Sequence, residues 1–166
     1  MGGLRRSAGS RGPLRIQLPG QLRSSTQHLI DEPIHPLKGT TMNIEVITLT
    51  STVEAIGAYS PAIKAGGFIF TSGQVGVDPA TNEVPASFRH EVALAIDNLA
   101  AVLHAAGSDL VHVVRMECLL SDIDDFGVMN EVYGEHFAAP FPARFTHGTV
   151  LAADYRIELV ATAVSE

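Results

Sequence analysis

The sequence predicts an α+β fold in which two helices lie on one face of a mixed β-sheet. Three observations carry this. The runs "NIEVITLTS" (43–51) and "YRIELVATAV" (155–164), near the two ends of the chain body, alternate in the manner of strands. Between them, two stretches change to helical spacing. The strands are apolar on both sides, and no third helix is available to cover the second face.

The elements follow in order. After the "AIGAYSP" corner (55–61), "FIFTSGQV" (68–75) reads as a second strand ending at Gly73, and "DPATNE" (78–83) is turn chemistry. Val92, Ile96, Leu99 and Leu103 make one helical stripe, starting near Ser87 and stopped by Gly107. "VHVVRMECLL" (111–120) is β-branched and apolar, a central strand. A second helix follows the acidic cap "SDIDDF" (121–126), with Phe126, Met129, Tyr133 and Phe137 on one side, and ends before Pro140 and Pro142. "ARFTHGTV" (143–150) and "YRIELVATAV" close the chain; in the last, Ile157, Leu159, Ala161 and Ala163 face one way and Glu158, Val160, Thr162 and Val164 the other. The order is ββ(β)αβαββ. The uncovered face predicts a homo-oligomer with its bare sheets packed together.

Charge divides the chain. Residues 1–41 carry six basic and two acidic side chains, a formal +4, whereas residues 42–166 carry five and sixteen, a formal −11. An acidic body argues against a nucleic-acid surface, which needs a basic stripe to neutralise phosphates. Residues 1–41 are expected to be a basic, disordered N-terminal extension outside a domain spanning 42–166. An upstream start before Met42 and an organelle-targeting segment are the other readings of their Arg, Ser and Gly content. Cys118 is the single cysteine, so no intrachain disulfide or thiolate metal cage forms, which fits a reducing, cytoplasmic compartment. No apolar run is long enough to cross a bilayer. His90, His104, His112, His136 and His147 show no HxH or HExxH spacing, so no metal site is expected.

Chemistry concentrates in three places: Tyr59 with Ser60, Ser72 with Gly73, and Arg144 with Glu158. A strand arginine with no acidic neighbour in sequence needs an anion, from the protein or from a ligand. Arg144 and Glu158 lie on the last two predicted strands, so a cross-strand ion pair is one reading. The other is a small-acid site: a guanidinium grips a carboxylate by two parallel hydrogen bonds, and a second carboxylate orients or deprotonates a water. No glycine-rich phosphate loop precedes a helix, which argues against phosphoryl transfer.

The segments "AIGAYSPAI", "FIFTSGQVGVDPATNEV", "AIDNLAAVLHAAGSDLVHVVRMECLLSDIDDFGVMNEVY", "FPAR" and "RIELVATAV" resemble, in that order and spacing, the reactive-intermediate deaminase family (Rid, YjgF-type), from about Glu54 to Val164. The resemblance implies chorismate-mutase-like α+β subunits forming a homotrimer, sheets packed inward, with sites at the subunit clefts. It implies cofactor-independent hydrolysis of 2-imino acids, released by pyridoxal-phosphate enzymes, to 2-keto acids and ammonia. It also implies roles: Arg144 binds the substrate carboxylate and Glu158 positions the hydrolytic water. Tyr59 stands at the mouth, Ser72 and Gly73 line the site, and Thr146 stands where many members carry cysteine. The chain departs from the family pattern at Ala58, Phe145, His147 and Val160. Those departures motivate the alternative of a non-catalytic, small-carboxylate-binding trimer.

Overall fold

The computed structural model describes residues 43–49 and 57–165. The expected N-terminal extension, and the ends of the "NIEVITLTS" and "AIGAYSP" stretches, lie outside the described residues. Among the described residues nine regular elements follow in order: β1 (Ile44–Ile47), β2 (Ala62–Ala65), β3 (Phe68–Thr71), β4 (Gln74–Val75), α1 (Phe88–Ala105), β5 (Val113–Leu120), α2 (Phe126–His136), β6 (Ala143–Gly148) and β7 (Ile157–Val164). Short 3₁₀ turns, Leu110–His112 and Ile123–Asp125, lead into β5 and α2.

The strands form one mixed sheet in the order β1-β2-β3-β7-β5-β6, with β4 also paired to β7. The α+β reading with two helices is met among the described residues; the run expected as one strand over 68–75 is divided into β3 and β4, and the strand that the expected order lacks is β2. Its signal is the Gly66–Gly67 pair, whose φ angles of 59° and 83° make the tight β2–β3 hairpin. β5 and β6 run parallel and the other pairs antiparallel. A connection through α2 makes that parallel pairing possible.

The helical stripe predicted from Val92 to Leu103 is buried, joined by Ala95 and Val102. It packs on Ile69, Met116, Cys118, Leu120, Ile157, Leu159, Ala161 and Ala163, with Met129, Val132 and Tyr133 of α2 completing the core. In α2 the stripe is only partly buried, because Phe126 stays exposed. The acidic run serves the 3₁₀ turn rather than α2: Asp122 Oδ1 accepts from the Asp124 amide at 3.0 Å, while Asp125 makes no side-chain cap.

The register puts Ile44, Val46, Phe68, Phe70, Phe145, Val160 and Val164 together on the opposite face. Ile44, Val46, Phe68, Phe70, Phe145 and Val164 are exposed in the single chain. An apolar sheet face of this extent marks an interaction surface.

Candidate active site

Arg144 lies on β6 at the edge of the sheet. Parallel pairing sets it beside Met116 and sets Thr146 beside Cys118, so both point to the helix-covered side, as the two-residue spacing predicts. There α2 supplies the walls. The guanidinium carbon sits 4.6 Å from the Tyr133 ring centroid and 5.7 Å from that of Phe126. One guanidinium nitrogen donates to Asn130 Oδ1 at 2.6 Å. Asn130 is a neutral amide, and among the described residues Arg144 has no carboxylate partner. The positive charge is held in place but not neutralised. Asn130, Tyr133, Gly134, Phe141, Pro142 and Arg144 line a cleft of about 350 Å³.

Beneath the cleft, burial pushes the Cys118 thiol up from 9.0 to about 11, against the lowering effects of Arg144 and a Thr146 hydrogen bond. Burial likewise pushes the Tyr133 phenol up to about 12, reinforced by Cys118 and opposed by Arg144. Both stay protonated at neutral pH. Cys118 is fully buried, the core residue its apolar strand predicts.

Glu158 occupies the other face. It is half-buried on β7 opposite Val75. Phe70 pairs with Thr162 but Gln74 with Leu159, so the β3–β4 side carries one extra residue, a bulge at Thr71–Gly73. Thr71 Oγ1 fills the ladder gap by accepting from the Ala161 amide at 2.9 Å. Gly73 then lies so close to Glu158 that a Cβ there would fall 1.7 Å from Glu158 Oε1. The missing side chain seats the carboxylate. Among the described residues, Glu158 makes neither an ion pair nor a side-chain hydrogen bond.

The Ser72 hydroxyl donates to the Ser60 carbonyl at 2.7 Å, and the Ser72 amide donates to Pro61 at 2.9 Å. Ser72 therefore ties the corner carrying Tyr59 to the Gly73–Glu158 seat. The Tyr59 side chain, at a residue 52% exposed, is left facing solvent.

The six expected site residues thus form two groups. Arg144 and Thr146 share one face of β6; Tyr59, Ser72, Gly73 and Glu158 gather around β4 and β7. The cross-strand reading of Arg144 with Glu158 is corrected: β6 and β7 are consecutive in sequence, but β5 lies between them. His147 and Glu158 both pair with Leu119, which puts Glu158 two strands from β6 and level with a position three residues beyond Arg144. The two Cα atoms are roughly 14 Å apart by sheet geometry, and their side chains leave opposite faces. One chain cannot bring both to the same small molecule.

Asn130, Tyr133 and Phe141 line the cleft with Arg144 but are not among the candidates the sequence offers. Asn130 reads as solvent-facing helix, and Tyr133 reads as core. Only the arrival of β6 beside α2 makes them neighbours of Arg144.

The endoribonuclease L-PSP family model matches residues 49–165. The rat protein named 2-iminobutanoate/2-iminopropanoate deaminase is 41% identical over 122 residues, 72% of this chain and 89% of that protein. "Protein mmf2, mitochondrial" of Schizosaccharomyces pombe is 46% identical over 97 residues, 58% of this chain and 76% of that protein. The crystal structure of E. coli TdcF with bound serine superposes with a TM-score of 0.68 at 33% identity, covering 74% of this chain and 99% of that one. With two thirds of its length matched by the family model and relatives this similar, the chain belongs to the endoribonuclease L-PSP family, the YjgF/RidA family whose motifs it carries.

Proposed function

We propose that this chain is a hydrolytic deaminase of small 2-imino acids, acting as a homotrimer of chorismate-mutase-like subunits with each site shared by two copies. The observation that carries the reading is Arg144: a fixed guanidinium beside a cleft, hydrogen-bonded to an amide and free of any internal carboxylate among the described residues. It suits the carboxylate of a guest. A 2-imino acid and the serine bound in TdcF share a carboxylate next to a nitrogen-bearing carbon.

The split geometry supports sharing. Arg144 with Thr146 supplies one half-site, and Glu158 with Gly73, Ser72 and Tyr59 the other. A head-to-tail ring joins one half to the other at every interface, which is the arrangement the homotrimer would have. The exposed apolar face, Phe68, Phe70 and Phe145 among it, supports inward packing of the sheets.

In the assembled site Arg144 holds the carboxylate and orients the imine carbon toward Glu158 of the neighbouring copy. Glu158 accepts a proton from water as the oxygen attacks that carbon. The proton passes to nitrogen, the C–N bond breaks, and the carbonyl forms. One imine and one water give one 2-keto acid and one ammonia; from 2-aminoacrylate, through 2-iminopropionate, the product is pyruvate. The charge of −11 on residues 42–166 disfavours RNA as the substrate.

The test is keto-acid release from freshly generated 2-aminoacrylate, compared with Arg144→Ala. Equal rates would overturn the enzyme reading and leave the small-carboxylate binder. Mixing Arg144→Ala and Glu158→Ala subunits tests the sharing. Random co-assembly restores both groups at about one quarter of the sites in a head-to-tail ring, and at none if each chain is self-sufficient. Cell fractionation distinguishes the cytoplasmic location expected from the sequence from the mitochondrial one in the fission-yeast relative's name.

A further inference from the structure

Glu91 is a carboxylate with no exposure at all, in the first turn of α1 and outside the site described above. Its Oε1 accepts from the Arg156 amide at 2.7 Å and its Oε2 from Arg156 Nε at 2.5 Å. The remaining guanidinium nitrogens donate to Pro85 O at 2.7 Å and Ala86 O at 3.2 Å, and the group lies 5.6 Å from the Phe88 ring centroid. The Arg156 carbonyl accepts from the Ser121 amide at 3.0 Å. Every polar group of residue 156 is engaged, two positions before Glu158.

The same carboxyl-bearing residue also references the strand against which Glu158 rests. Gly76 is pressed onto Glu91, since a Cβ there would fall 2.0 Å from the Glu91 carbonyl oxygen and 2.5 Å from its Cγ. Asn98, farther along α1, donates to Val75 O at 2.8 Å and Val77 O at 2.9 Å. Both supports of the Glu158 carboxylate, β7 below it and Gly73–Val75 beside it, are thereby fixed to α1. A buried charge pair is a poor way to gain stability alone, because apolar residues of the same volume do as well or better.

We propose that Glu91 and Arg156 form a positioning pair that sets the Glu158 carboxylate against Gly73, and so act on the hydrolytic step rather than on carboxylate binding. The inference rests on the deaminase reading above. A shift of about 1 Å in a reacting group costs on the order of 100-fold in rate. Glu91→Gln, which keeps shape but removes charge, is expected to lower kcat by at least about tenfold while KM stays within about twofold, since the Arg144 of that shared site belongs to the neighbouring copy. In a Glu158→Gln background the Glu91→Gln effect should vanish, because a group that acts through Glu158 has nothing left to position.

Assays run well below the melting temperature of each variant separate rate from folding. Arg156→Lys, at a partly exposed residue, gives the same readout if Glu91→Gln does not fold. An unchanged kcat in the folded single variants overturns the proposal, as does an effect that persists undiminished without Glu158. A Glu158→Gln protein with wild-type kcat would instead overturn the deaminase roles themselves, and with them this inference.

Discussion

Replacing Gly73 by alanine tests the site at its tightest point. The added Cβ would sit 1.7 Å from Glu158 Oε1, 2.5 Å from Cδ and 2.8 Å from Cγ. Non-bonded heavy atoms do not approach a Cβ below 3.0 Å, so the carboxylate must retreat by about 1.3 Å. Gly73 is not in the left-handed region, so alanine brings no backbone strain, and what gives way is the end of a flexible side chain. Stability should change by no more than about 1 kcal/mol, a few degrees in Tm. Catalysis is another matter: a displacement of that size predicts roughly a 100-fold loss in kcat with KM little changed. Steady-state keto-acid release, with Tm by scanning fluorimetry and oligomer size by light scattering, separates the effects. A folded, fully assembled Gly73→Ala protein with wild-type kcat would refute the placement of Glu158 in the reaction.

Asn130 should matter through the charge it leaves unbalanced. Asn130→Ala removes the 2.6 Å hydrogen bond to Arg144 and should raise KM about tenfold, whereas Asn130→Asp supplies an internal carboxylate and should raise it further. Equal KM values for the two would argue that Arg144 does not meet the substrate's acid group. Phe70→Asp places a charge in the exposed apolar face and should shift the protein to monomers by size-exclusion chromatography, with loss of turnover if each site draws on two copies as proposed. Stability should fall at alkaline pH: a Cys118 thiol at about 11 in the fold against 9.0 unfolded contributes fully below pH 9 and is lost as pH rises toward 11, by about 2–3 kcal/mol. Cys118→Ala is less stable at pH 7 through lost volume but should show a shallower decline over that window in denaturant titrations.

The sequence by itself determined most of the elements and nominated the candidate site residues. Period-two alternation and the Val92–Leu103 stripe are local signals, written by which face each side chain must bury, and they placed both helices and the last strand. Gly66–Gly67 is a hairpin signal just as local. The site residues were legible because a strand arginine without an acidic neighbour is costly, and because the motifs resemble a family's. What only the tertiary structure decided is who stands next to whom. Strand order is a matter of long-range pairing: inserting β5 between β6 and β7 separated Arg144 from Glu158, ruled out their ion pair and split the site into halves. The same packing brought Asn130 to Arg144 and Arg156 to Glu91, contacts across 14 and 65 residues that no local pattern encodes.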